Sequence, residues 1–121
     1  MQIESPSGST EDLSFMVNAW LKHRAKSYLP ERTEFLARKY NFSFNRLSLR
    51  NQKTRWGSCS ASGNISLNYR LMKYRKEVID YVIIHELCHL KEMNHSKKFW
   101  NLVESLVPGY KLLKRELKRL R

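Results

Sequence analysis

HELCHLKEMNH, residues 85–95, holds three of the four histidines in a chain of 121 residues. His85 and His89 stand four apart, which on a helix of about 3.6 residues per turn sets both imidazoles on one face. Two rings so placed can reach one metal ion. Glu86, one step further round the helix, can touch a water on that ion without ligating it. The alternative is a core helix that happens to bury two imidazoles and a carboxyl, and it leaves polar groups uncompensated. The chemistry this spacing supports is hydrolysis: zinc polarises a carbonyl and acidifies a water, while Glu86 takes the proton and hands it to the leaving amine.

A catalytic zinc usually has a third protein ligand and one position left for water. His95 lies six residues past His89, just after Asn94, which reads as a left-handed helix stop from which the chain can turn back. Glu104, on the next helix, is its rival. Glu92, seven residues after His85, shares the ligand face and can orient a ligand from behind. The histidine spacing also matches H-E-x-x-H-x-x-G-x-x-H, but Glu92 occupies the glycine position and no methionine follows Met93, which disfavours that subclass. Cys88 points off the ligand face and reads as a packed, reduced thiol.

The elements that must position these residues follow from period and punctuation. "SPSGS", residues 5–9, reads as a flexible lead (1–9) ending in a helix cap at Ser9, with a single domain over 10–121. Leu13, Val17, Trp20, Leu21 and Tyr28 recur at helical spacing until Pro30, where a second, shorter helix with Phe35, Leu36 and Tyr40 is expected to start. From Phe42 through Phe44, Leu47 and Leu49 the period is two, a strand. Short runs around 55–58 and 64–68 flank the turn residues Ser60 to Gly63 and predict a hairpin. Three short strands make a small, mainly antiparallel sheet with helices packed on it, an α+β fold.

The stretch from Arg75 to about Met93 is the most hydrophobic helix candidate. Ser96 then caps a helix bearing Phe99, Leu102, Val103 and Leu106. Pro108 and Gly109 break it, and a basic amphipathic helix with Leu113, Leu117 and Leu120 on one side ends the chain.

Composition bounds the function. Twenty-three Lys and Arg against eleven Asp and Glu give a net charge of +12, a field that attracts polyanions or acidic substrates. No acidic residue stands between Glu34 and Glu77, an interval with ten basic ones. Two cysteines cannot form a disulfide framework, and the N-terminus lacks the basic lead and apolar run of a signal peptide. No apolar run is long enough to span a bilayer. A cytoplasmic protein with no membrane partner is expected, as a monomer.

Two segments together, "RWGSCSASGNISLNYRL" (residues 55–71) and "VIIHELCHLKEMNHSKKFW" (residues 82–100), resemble the YgjP-like family of zinc-dependent hydrolases, which is similar to the SprT-like proteases. The resemblance is close from Lys53 to Tyr110. It implies a minimal zincin fold, one zinc ion on His85, His89 and His95, and Glu86 as the catalytic carboxylate. Members often carry a β-rich region before the part seen here, so this chain reads as a short version or a fragment with an open pocket.

Within that reading, Trp56 and Gly57 mark either a tight backbone approach packed by an indole or one wall of a substrate cleft. Tyr69, Arg70 or Tyr110 can supply an oxyanion donor. An edge strand at 64–68, ending in Asn68, can hold an extended peptide by strand addition. Peptide hydrolysis leads. A nucleoside triphosphate cleaved at a phosphoanhydride is the alternative, though no phosphate-binding glycine loop is present. A nucleic-acid-binding role through the basic surface and Trp56 is the third reading, without a helix-turn-helix, zinc-finger or RNA-recognition signature.

Overall fold

The computed structural model describes residues 10–52 and 54–119, so the expected lead over residues 1–9 lies outside the described residues. Helix α1 spans Thr10–Lys39, strands β1, β2 and β3 span Arg46–Arg50, Gly57–Cys59 and Asn64–Asn68, and a 3₁₀ turn covers Tyr69–Lys73. Helices α2 (Lys76–Cys88), α3 (Lys97–Leu106) and α4 (Tyr110–Arg119) follow.

The α1 segment is one helix, not two, with Pro30 inside it. An interior proline costs about 3 kcal/mol through a lost hydrogen bond and a steric clash. Here the buried stripe Leu21, Ala25, Leu29, Thr33, Leu36 and Ala37 runs through Pro30 in phase. Packing on both sides of the proline therefore holds one axis, and each large apolar side chain so buried contributes about 1.5–3 kcal/mol. The stripe also differs from the one expected: Leu13, Val17, Trp20 and Phe35 are exposed. Asn41, with φ 60°, closes α1, and the Phe42 N–H donates to the Ala37 carbonyl at 2.7 Å, the six-to-one bond of a left-handed helix cap.

The hairpin forms where the turn residues predict it: Gly57 pairs with Leu67 and Cys59 with Ile65, antiparallel. The Gly63 N–H closes the turn on the Ser60 carbonyl at 3.0 Å. β1 runs parallel to β3, from Arg46 opposite Asn64 to Arg50 opposite Asn68, so the sheet is mixed. Its order is β1-β3-β2. The hairpin leaves β3 antiparallel to β2 with one free edge, and β1 takes that edge. The 64–68 strand is thus interior, and the expectation that it offers a free edge for a peptide is wrong. On the cleft side the edge strand is β2.

α2 is the centre of the molecule, touching α1, α3, α4, β2 and β3. Val78, Ile79, Val82, Ile83, Leu87 and Cys88 on it are buried, and a helix apolar nearly all round belongs inside. Arg32 on α1 grips Asp80 on α2 bidentately, at 2.9 and 2.7 Å, a geometry that fixes orientation as well as adding energy. The helix ends at Cys88, earlier than the expected Met93, and Asn94 is not left-handed, since Asn41 is the one non-glycine residue with positive φ among those described.

Candidate active site

The last turn of α2 carries His85 and Glu86, and His89 is its C-cap residue, still in αR geometry. The 89–91 amides reach back only three residues, to the carbonyls of Glu86, Leu87 and Cys88. This tightened turn reverses the chain. His95 then arrives over the helix end, and Ser96 starts α3 by accepting from the Phe99 N–H through its side chain.

The three imidazoles converge. His95 Nε2 lies 3.1 Å from His89 Nε2 and 3.3 Å from His85 Nε2. His89 Nδ1 is 3.0 Å from the Glu92 carbonyl oxygen. A carbonyl only accepts, so Nδ1 carries the hydrogen and Nε2 keeps a lone pair aimed at its neighbours. A tetrahedral ion with bonds of about 2.0–2.1 Å to nitrogen spaces its ligands by about 3.3–3.4 Å. The donor set and spacing therefore fit zinc. Glu104 is exposed and stands outside this cluster.

Aromatic rings of α3 and α2 hold the trio. His89 stacks on Phe99 at 4.2 Å between centroids, His95 stacks on Trp100 at 5.7 Å, and His85 meets Phe99 edge-on at 4.9 Å. Tyr110 stacks on Trp100 from behind at 5.2 Å. Burial pushes the His85 pKa down to about 3, assisted by His89, His95 and Lys114, and burial lowers that of His89. Both shifts favour the neutral ring that a metal ligand must offer.

Glu86 is 6% exposed. Desolvation lifts its pKa to about 8, against the pull of Arg55. Its side chain lies against Gly57 of β2: a Cβ there would sit 3.0 Å from Glu86 Cγ and 3.1 Å from Oε2. At this point the tight backbone approach at Gly57 is itself part of the cleft wall. A cleft of about 590 Å³ opens over the trio and Glu86, with Trp56, Gly57 and Cys59 on one side and Lys114, Leu117 and Lys118 of α4 on another.

The remaining expected cleft residues lie elsewhere. Asn68 is buried, donating from Nδ2 to the Gln52 and Arg55 carbonyls and accepting from the Arg70 N–H at 2.9 Å; it pins the loop that leads into Trp56. Tyr69 is buried, Arg70 faces a separate hollow beside Leu13 and Val17, and Tyr110 serves as the support behind Trp100. None of the three lines the cleft. Sequence reasoning missed Trp100 as a ring support and the α4 lysines as cleft residues. The first had a signal, since a helix capped at Ser96 sets residues 99 and 100 one turn from His95. The second had none.

A small α+β fold with a central helix presenting paired histidines and a glutamate beside an edge strand describes a metallopeptidase of minimal zincin type. Residues 2–120 match the YgjP-like, metallopeptidase domain family, and the chain belongs to that family. The crystal structure of the metallopeptidase zymogen of Pyrococcus abyssi abylysin is similar, with 28% identity and a TM-score of 0.64 over 75% of this chain and 93% of that one. So is that of the Methanocaldococcus jannaschii jannalysin zymogen, with 25% identity and a TM-score of 0.58 over 75% and 92%. No curated protein matches the chain. The protein is a zinc metallopeptidase, and its substrate is a peptide or protein. Among the described residues no helix is long and apolar enough to cross a membrane.

Proposed function

We propose that His85, His89 and His95 hold the zinc ion and that Glu86 moves the proton in peptide-bond hydrolysis. The observation that carries this is the convergence of three Nε2 atoms, at 3.1 and 3.3 Å, beside a buried carboxyl in one cleft. Zinc, when bound, supplies Lewis acidity to the scissile carbonyl and the attacking water. Glu86 does the proton work. Burial raises its affinity for a proton and Arg55 opposes the rise, so it can take a proton and return it to the leaving amine near neutral pH. β2 offers its backbone to an extended substrate, and the pairing of its other side with β3 keeps that edge rigid. Two unpaired cysteines suit a reducing, cytoplasmic setting.

The test is metal content and peptide turnover in parallel. His89→Ala should lose zinc and activity together. Glu86→Gln should keep one zinc per chain while kcat falls by at least about 1,000-fold. Unchanged peptide turnover in Glu86→Gln would remove the assignment.

A further inference from the structure

Three cations line the cleft, on two different elements: Arg55 leads into β2, and Lys114 and Lys118 lie on α4. Glu86 is the one carboxylate among the described lining residues. Lys114 and Lys118 are four apart, hence on one helical face. The acid of that helix, Glu116, is drawn away from them by Arg75, which holds it through Nε at 2.8 Å and Nη2 at 2.8 Å. Tyr74 donates its hydroxyl hydrogen to the Leu117 carbonyl at 3.3 Å. α4 is thereby clamped with its lysines toward the cleft and its carboxylate spent elsewhere. Lys114 Nζ sits 4.5 Å over the Trp100 ring, on which His95 also stacks.

Positive charge thus enters the cleft from two elements, the lead into β2 and α4. All three cations are exposed, so a substrate can reach them. We propose that the cleft selects peptides with acidic side chains on both sides of the scissile bond, Arg55 receiving one carboxylate and Lys114 with Lys118 the other. This rests on the imidazole trio being the peptidase centre. Cations spread along a cleft suit charges spaced along a chain, whereas a triphosphate calls for cations gathered at one point.

The test uses the full, zinc-loaded chain and internally quenched peptides that differ only in Glu, Gln or Lys on either side of the cut. Glu peptides should exceed their Gln counterparts by about fivefold in kcat/KM per flank at low salt, the size expected of a part-exposed ion pair, and the ratio should fall toward one with added salt. Arg55→Gln should erase the preference at one flank, and the Lys114→Gln, Lys118→Gln pair at the other. The pair Lys114→Glu, Lys118→Glu should turn that flank toward Lys peptides. A second readout is fluorescence anisotropy of a labelled Glu-rich peptide on the metal-free chain, which should bind more tightly than its Gln twin. Efficient cleavage with no preference, or with a preference for Lys, overturns the inference and leaves the peptidase reading standing. Turnover of nucleoside triphosphates with no peptide cleaved overturns both.

Discussion

Gly57→Ala presses on Glu86, and none of the three atoms nearest the added methyl belongs to an imidazole. Gly57 pairs with Leu67 in the antiparallel ladder, and its vacant side-chain position faces α2. A Cβ there would lie 3.0 Å from Glu86 Cγ, 3.1 Å from Oε2 and 3.1 Å from the Ser66 carbonyl oxygen. Comfortable contacts between carbon atoms are about 3.5–4.0 Å, so the overlap with Cγ is at least half an ångström. The Ser66 oxygen belongs to the interior strand, paired on both sides, and cannot retreat. Glu86 must move. Displacing a proton carrier by about 1 Å costs about 100-fold in rate, and overpacking costs about 1–3 kcal/mol of stability.

The assay is kcat/KM on a quenched peptide, well below the melting temperature, with zinc content measured on the same sample. We expect kcat/KM to fall by about 100-fold with zinc content unchanged. Gly63→Ala is the control. Gly63 has φ +84°, so alanine there costs about 1–2 kcal/mol in backbone strain, but its nearest neighbours are 3.6 Å or more away and none is in the trio. It should melt earlier and keep the parent activity per folded molecule. Parent kcat/KM in Gly57→Ala, with zinc retained, would refute the reasoning that the position of Glu86 sets the rate.

His95→Ala should lose zinc affinity by about 100-fold or more while Glu104→Ala binds like the parent, as titration against a chelating indicator would show; the reverse order would make Glu104 the third ligand. Asn68→Asp replaces two N–H donors that hold the Gln52 and Arg55 carbonyls by acceptors, and should lower stability by about 2–3 kcal/mol and Tm by about 10 °C in a calorimetric scan. An unchanged Tm would show that this amide does not hold the loop. Burial pushes the Cys59 thiol from an ordinary 9.0 to about 11 and the Cys88 thiol to about 12. Iodoacetamide labelling at pH 8 should therefore be about 100-fold slower for Cys59 and about 1,000-fold slower for Cys88 than for an exposed thiol, and speed up about tenfold per pH unit until near the folded pKa. The same raised values stabilise the fold below about pH 9, and that contribution is lost as pH rises toward about 11 for Cys59 and about 12 for Cys88.

Much of the site was legible because its chemistry is local. Residues 85, 86 and 89 lie within one helical turn, and Ser96 three residues before Phe99 is a cap by spacing alone. The hairpin was legible from Ser60 to Gly63, where turn residues separate two short runs. What escaped depended on contacts between distant segments. Pro30 breaks a helix in isolation, yet the buried stripe from Leu21 to Ala37 carries α1 through it. Alternation could not reveal that β1 docks parallel to β3 and makes 64–68 an interior strand, because a strand's own period says nothing about its partners. Nor could the periodicity of residues 111–121 show that α4 sets Lys114 and Lys118 at the cleft, since the Arg75–Glu116 clamp joins residues 41 apart.

The early end of α2 joins the local and distant parts of the site. Had the helix run on to Met93, the Glu92 carbonyl would have pointed along the axis toward the amide of residue 96, out of reach of the His89 ring. His95 would then have been carried a further turn away from the other two imidazoles. Because the turn tightens after Glu86, the freed Glu92 carbonyl accepts from His89 Nδ1 and fixes which nitrogen faces the cleft. The reversal that frees it also brings His95 back within 3.3 Å of both partners and starts α3 in time for Phe99 and Trp100 to brace the rings. One departure from regular helix thus sets the tautomer of one imidazole, delivers another and builds the aromatic wall behind all three.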